Sequence, residues 1–231
     1  NSLLALNAMS ASHEAKLDRM IVFGSSCVYP VNASQPYEET SIMTGPMEES
    51  SRAYSTSKLL LIQTALSFNS QHPDSTLFLP VIPNTVFGPN DNFDPNSSHV
   101  VGALIFKIHH AKKNGALDVD LWGSGLVKRE FVYSGDVARA CIKLLLHRNL
   151  QTTLPINVTS GEEVTIASLA QIIAQVIGFE GTINWDRTMP DGVIRKALDD
   201  RKLRNLGWQA ETSLITGIKN TYHWFLKSKW A

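Results

Sequence analysis

Residues 1–17 carry Leu3, Leu6 and Met9 at helical spacing, which predicts the end of an amphipathic helix. Residues 20–27 read Met-Ile-Val-Phe-Gly-Ser-Ser-Cys, an apolar run closing in small polar residues, as a buried parallel strand does at its C-terminal edge. Pro30, Pro36, Gly45 and Pro46 among Ser, Asn and Glu make 30–51 a loop. A helix follows over 52–71, with Leu59, Leu60, Ile62 and Leu66 as its apolar surface, and then a strand over 76–82. Residues 83–95 form a polar, turn-rich loop that no packing pattern explains, and Ser97-Ser98-His99 lead into a helix through about Lys113 with Val100, Leu104, Phe106 and Ile108 apolar. Two short strands are predicted around Trp122-Gly123-Ser124-Gly125 within 118–133. A helix then starts near Asp136, whose carboxylate suits the positive end of the helix dipole, and it places Cys141 among Ala138, Ala140 and Leu144 in the core. Residues 155–158 read as the last strand of the sheet, and Val164-Thr165-Ile166 open a helix ending at Gly178. A strand over 182–185, a turn at Met189-Pro190-Asp191-Gly192 and an amphipathic helix over 211–227 complete the chain.

Composition narrows the function classes. Lys+Arg and Asp+Glu both total 21, so no net field favours nucleic acid or a membrane surface. No apolar run reaches the roughly 18 residues that span a bilayer, and the first residues lack the basic stretch of a signal peptide. Two cysteines, Cys27 and Cys141, give no disulfide framework and suit a reducing cytoplasm. No metal site and no nucleic-acid or membrane partner is expected.

The candidate chemistry lies in Ser25-Ser26-Cys27 and Tyr54-Ser55-Thr56-Ser57-Lys58. Tyr54 and Lys58 are one helical turn apart on one face. The lysine's charge stabilises a tyrosinate, and a strand-end serine can hydrogen-bond a substrate oxygen, so the three form a proton-transfer set. Each residue alone has a plainer reading: Cys27 or Trp122 as core, His99 as a helix-start residue, Arg129 as a surface ion pair, Asp191 as the shaper of its turn.

Together these residues resemble the extended branch of the short-chain dehydrogenase/reductase family that acts on nucleotide sugars. The resemblance is carried by Ser25-Ser26-Cys27-Val28-Tyr29-Pro30, Tyr54 with Lys58, Phe87-Gly88-Pro89-Asn90-Asp91-Asn92-Phe93, His99, Trp122-Gly123-Ser124-Gly125, Arg129-Glu130-Phe131, and Pro190-Asp191-Gly192 with Arg195-Lys196. It implies an α/β fold, a Rossmann-type doubly wound parallel sheet with a small C-terminal α+β substrate lobe. Residues 1–160 would be the C-terminal part of the dinucleotide-binding domain, 83–130 would contribute to the substrate lobe, and 161–231 would be mainly that lobe. It further implies NADPH-dependent 3,5-epimerisation and 4-reduction of GDP-4-keto-6-deoxy-D-mannose to GDP-L-fucose, by a homodimer.

By the same resemblance Cys27 and His99 are the acid–base pair of the epimerisation. Ser25, Tyr54 and Lys58 serve the reduction. Phe23, Gly24, Ser25, Ser26, Tyr54, Lys58, Pro83, Asn84, Thr85, Val86 and His99 border NADP(H), and Lys107, Trp122, Arg129 and Asp191 bind the GDP-sugar. Two departures bear on the sugar: Lys107 stands where the family often has arginine, and Pro83-Asn84-Thr85 inverts the common Pro-Thr-Asn. No glycine precedes Gly24, so the family's opening strands and glycine-rich phosphate turn are expected to lie outside this chain. The 231 residues alone would then bind NADPH weakly and leave a bare strand edge with Ile21, Val22 and Phe23 uncovered. A one-centre epimerase, a 4-keto reductase without ring epimerisation, and an inactive remnant that binds nucleotide sugar or a partner protein stay open beside this reading.

Overall fold

The computed structural model describes residues 2–147 and 150–231. In chain order they form α1 (Ser2–Glu14), β1 (Arg19–Phe23), α2 (Arg52–Gln71), β2 (Leu77–Pro83), β3 (Thr85–Phe87), α3 (Val100–Lys113), β4 (Asp118–Trp122), β5 (Lys128–Tyr133), α4 (Ser134–Leu146) and β6 (Ile156–Val158). These are followed by β7 (Glu163–Thr165), α5 (Ile166–Ile177), β8 (Thr182–Asp186), β9 (Arg195–Lys196), α6 (Arg201–Asn205) and α7 (Leu214–Phe225). No helix among the described residues is long and apolar enough to cross a membrane. The chain divides into two units: unit 1 comprises Asn1–Thr85, Val137–Gly161 and Ala197–Gln209, and unit 2 comprises Val86–Asp136, Glu162–Lys196 and Ala210–Ala231.

Unit 1 is built on a parallel sheet in the order β1-β2-β6. Val22 and Phe78 are buried with Met9 of α1 and Leu61 and Ala65 of α2. Ile62 and Ile82 pack with Val28, Tyr29, Tyr37 and Leu198. Ile62 is fully buried, and truncating such a side chain to Ala costs about 2–5 kcal/mol. Arg19 donates to the Leu144 and His147 carbonyls, satisfying the C-terminal end of α4.

Among the described residues β1 pairs with β2 alone, so its other side is a strand edge. The expectation that Val22 stands uncovered there does not hold. Alternation along the strand turns Val22 under α1 and α2, while Phe23 is exposed. Two helix readings also change. Leu3 is 73 % exposed because α1 buries Met9 and packs through Ala5 and Leu6, and Leu60 is 47 % exposed because α2 buries Leu61, Ile62 and Ala65 instead.

Unit 2 holds a mixed sheet in the order β3-β5-β7, with β9 also pairing β5, and a parallel pair β4-β8. Its core joins Leu104, Ile105 and Ile108 of α3 with Leu169 and Ile173 of α5 and Ile218 and Phe225 of α7. Thr165 caps α5 by accepting the Ser168 N–H at 3.0 Å, and Gly178 ends it in the left-handed region at φ +73°, where glycine carries no Cβ penalty. The stretch 83–95 contains β3 rather than loop throughout, because Phe87 is buried in this core and edge-on to Phe131 and Tyr133. Residues 163–165 likewise pair with β5 before α5 begins. Asp136 is buried, and its carboxylate accepts the Glu211 and Thr212 N–H groups, tying the approach to α7 to the start of α4.

Candidate active site

In unit 1 the sequence candidates gather at the C-terminal ends of β1 and β2. The Gly24 N–H donates to the Val81 carbonyl at 2.8 Å, extending the strand pairing past Phe23. A Cβ on Gly24 would lie 2.8 Å from Ile62 Cδ1 and 3.2 Å from the Val81 oxygen, so a glycine is what lets α2 pack this close to the strand end. The chain then tightens into one 3-10 turn over Ser26–Val28. Ser25 Oγ accepts the Cys27 N–H at 3.4 Å and the Ser25 carbonyl accepts the Val28 N–H at 3.1 Å. An accepting hydroxyl keeps its own proton to donate. Ser26 is buried and Cys27 half-buried.

Helix α2 brings Tyr54 and Lys58 to the same place. Lys58 Nζ donates to the Phe23 carbonyl at 2.9 Å and stands 5.8 Å from the centre of the Tyr54 ring. Burial pushes the Lys58 ammonium down from its ordinary value. Tyr54 is 44 % exposed, so its phenol can meet a bound molecule. Pro83 ends β2, and the buried Asn84 donates its N–H to the Val158 carbonyl at 3.0 Å, with Thr85 following.

The other candidates lie in unit 2. Val86 is in β3, and His99 is the residue before α3, where its side chain makes no capping bond. The loop that leads there is held by its own polar groups. Asn92 Nδ2 donates to Ser97 Oγ at 3.0 Å, Asn92 Oδ1 accepts the Asp94 N–H at 3.0 Å, and Asp94 Oδ1 accepts the Asn96 N–H at 2.9 Å. Gly102 leaves room for the Asn92 carbonyl, which would stand 2.4 Å from a Cβ there. Burial pushes the Asp91 carboxyl up, opposed by its Asn92 N–H bond and by the neighbouring His99. Asp91 is therefore a carboxyl neighbour of His99, which reading the loop as turns alone passes over.

Lys107 Nζ lies 4.6 Å over the Trp122 ring, a cation–π geometry, and its ammonium is pushed down by burial against the pull of Asp120. Trp122 is 62 % exposed, which removes the core reading. Asp191 Oδ1 accepts the Ser124 N–H at 2.7 Å, and that bond, ahead of nearby Arg129 and Arg187, holds its carboxyl below the usual range. The 122–125 and 189–192 turns are thus joined through one carboxylate. Arg129 Nη1 donates to the Lys128 carbonyl at 2.8 Å. Unit 1 thus assembles a hydroxyl, thiol, phenol and ammonium, and unit 2 an aromatic face with cations and a carboxylate.

The family model described as NAD dependent epimerase/dehydratase family matches residues 1–159. GDP-L-fucose synthase 1 of Arabidopsis thaliana is 39% identical over 229 residues, covering 99% of this chain and 69% of that protein. The GDP-L-fucose synthase of Escherichia coli (strain K12) is 39% identical over 236 residues, covering 99% of this chain and 73% of its relative. Among solved structures, a GDP-L-fucose synthetase from Naegleria fowleri bound to NADP aligns with a TM-score of 0.89 at 31% identity, over 97% of this chain and 71% of that one.

Proposed function

Since the chain belongs to the NAD dependent epimerase/dehydratase family, in its GDP-L-fucose synthase branch, we propose that it carries out NADPH-dependent 3,5-epimerisation and 4-reduction of GDP-4-keto-6-deoxy-D-mannose to GDP-L-fucose. The observation that carries this reading is the joint placement of Ser25, Cys27, Tyr54 and Lys58 at the strand ends of a Rossmann-type α/β unit. The residues there fit a nicotinamide dinucleotide: the Lys58 ammonium has three donors to share between Phe23 and ribose hydroxyls, beside an exposed phenol. Phe23 to Ser26, Pro83 to Val86 and His99 complete the cofactor-bordering set.

The 4-keto group acidifies the C–H bonds at C3 and C5. Cys27 and His99 serve as the pair that removes a proton at each centre and returns one on the opposite side of the ring, breaking and forming one C–H bond per inversion. NADPH, when bound, supplies the hydride that reduces C4. Tyr54 donates its proton to the oxygen at C4, Ser25 hydrogen-bonds that oxygen, and Lys58 stabilises the tyrosinate left behind. Arg129 suits the diphosphate through its guanidinium fork, Trp122 offers an apolar face, and Lys107 and Asp191 complete the GDP-sugar contacts. A cytoplasmic homodimer completes the proposal. Cys27 and Cys141 are both free thiols, as a reducing compartment keeps them, and Leu3, Leu4 and Leu60 leave exposed apolar surface on α1 and α2.

The test separates the two half-reactions. Cys27→Ser and His99→Gln are expected to abolish uptake of solvent deuterium at C3 and C5, while NADPH-dependent reduction of the ketone persists. Unchanged deuterium uptake in both variants would remove the pair from the mechanism. Reduction without any uptake in the unaltered protein would make it a simple 4-keto reductase.

A further inference from the structure

Asn157, in β6, is 1 % exposed, and its N–H and both ends of its side-chain amide are engaged. Its N–H donates to Glu39 Oε1 at 3.0 Å, and its Oδ1 accepts the Tyr29 hydroxyl at 2.6 Å. Its Nδ2 donates to the Tyr37 carbonyl at 3.0 Å and the Asp199 carbonyl at 3.1 Å. The Tyr29 ring is buried and stacks on Tyr37 with centroids 5.0 Å apart and planes 13° apart. Burial, with Glu39 nearby, pushes the Tyr29 phenol far up, so its hydroxyl remains a donor. A buried network with every member satisfied holds one arrangement.

Tyr29 stands two residues after Cys27, at the end of the turn that begins with Ser25. The turn is anchored at both ends. Gly24 ties the Ser25 end to β2 through the Val81 carbonyl, and Tyr29 ties the other end to β6 through Asn157. We propose that Asn157 and Tyr29 are positioning residues for Cys27, setting where its thiol stands without touching substrate themselves. Ser25 is held from the β2 side, so loosening the Tyr29 anchor shifts the thiol more than the serine. The inference rests on the epimerisation role proposed for Cys27.

Tyr29→Phe removes one hydroxyl and keeps the stacked ring. Tyr37→Phe is the control, since the Tyr37 hydroxyl accepts from Gln35 Nε2 at 3.2 Å while its carbonyl still serves Asn157. Tyr29→Phe is expected to lower deuterium uptake at C3 and C5 about tenfold and to leave reduction of the already epimerised ketone within about twofold, the scale of a displaced reacting group. The rate at which iodoacetamide alkylates Cys27, followed in its peptide by mass spectrometry, should rise about threefold or more as the turn loosens. Tyr37→Phe should change none of these. Wild-type uptake and alkylation in Tyr29→Phe, with only the melting temperature lowered, would overturn the proposal. If the unaltered protein shows no deuterium uptake, the substrate reading fails, and the alkylation rates decide the positioning role by themselves.

Discussion

The phenol of Tyr54 is exposed while the ammonium of Lys58, one turn on, is fixed by the Phe23 carbonyl, so the helix presents a proton donor beside a stationary charge. Tyr54→Phe keeps the ring and removes the proton. It is expected to lower NADPH-dependent turnover by about 10²–10⁴-fold with cofactor affinity little changed, as loss of a general acid does. Titration of NADPH fluorescence beside steady-state rates checks both parts. A variant that keeps most of its turnover would end the donor role of Tyr54. At Asp191 the oxygen that accepts the Ser124 N–H belongs to the same carboxylate proposed to meet substrate.

Among elements, the long loop after β1 is the one whose physics differs most from its appearance. Glu39 within it is buried, and burial raises its carboxyl while burial lowers the Lys202 ammonium. Each shift disfavours the charged form, so desolvation outweighs the mutual attraction of the two. A carboxyl raised in the folded state makes the protein most stable below the unfolded value, and that stability is lost as pH climbs through the folded one. Glu39→Gln retains an oxygen for the Asn157 N–H and removes this titration. Its melting temperature relative to the unaltered protein should therefore rise between about pH 5 and about pH 7, and calorimetry at the two values measures it. A constant difference would place the Glu39 carboxyl at its ordinary value. The opposite sign holds for Glu163, which Arg195 Nε grips at 2.7 Å and holds low, so its contribution is present above the unfolded value and lost in acid.

For the whole molecule, the chain passes between the two units repeatedly, and Ala197–Gln209 returns to unit 1 after Glu162–Lys196 has been spent in unit 2. Neither unit is a continuous stretch, so a cut at the crossing after Asp136, Gly161 or Lys196 would leave both incomplete. Leu4, 77 % exposed on α1, and Leu60 on α2 are the surface proposed for self-association. Leu4→Glu with Leu60→Glu is expected to convert a dimer to a monomer in sedimentation, with the melting temperature of the monomer close to that of the parent. A dimer that survives both charges would use another face.

Local rules made much of this protein readable from its residues. The apolar run into Ser25-Ser26-Cys27, the Tyr54/Lys58 spacing and the Gly178 stop each depend on neighbours within a turn or a strand, and the structure forms them where expected. The joint placement of Ser25, Tyr54 and Lys58 was legible for the same reason: one helix face and one strand end suffice to bring them together. Tertiary contacts decided the rest. Thr85–Phe87 became a strand through the burial of Phe87, and Arg195–Lys196 through pairing with β5. Leu60 faced outward because Leu61 and Ile62 won the core, and Val22 was covered because α1 and α2 lie over it. Asn157 occupies a three-residue strand that reads as ordinary, and its partners Tyr29, Glu39 and Asp199 are far from it along the chain. Hydrogen bonds across such separations leave no period in a sequence, so only the folded chain could bring that network and the turn of Cys27 together.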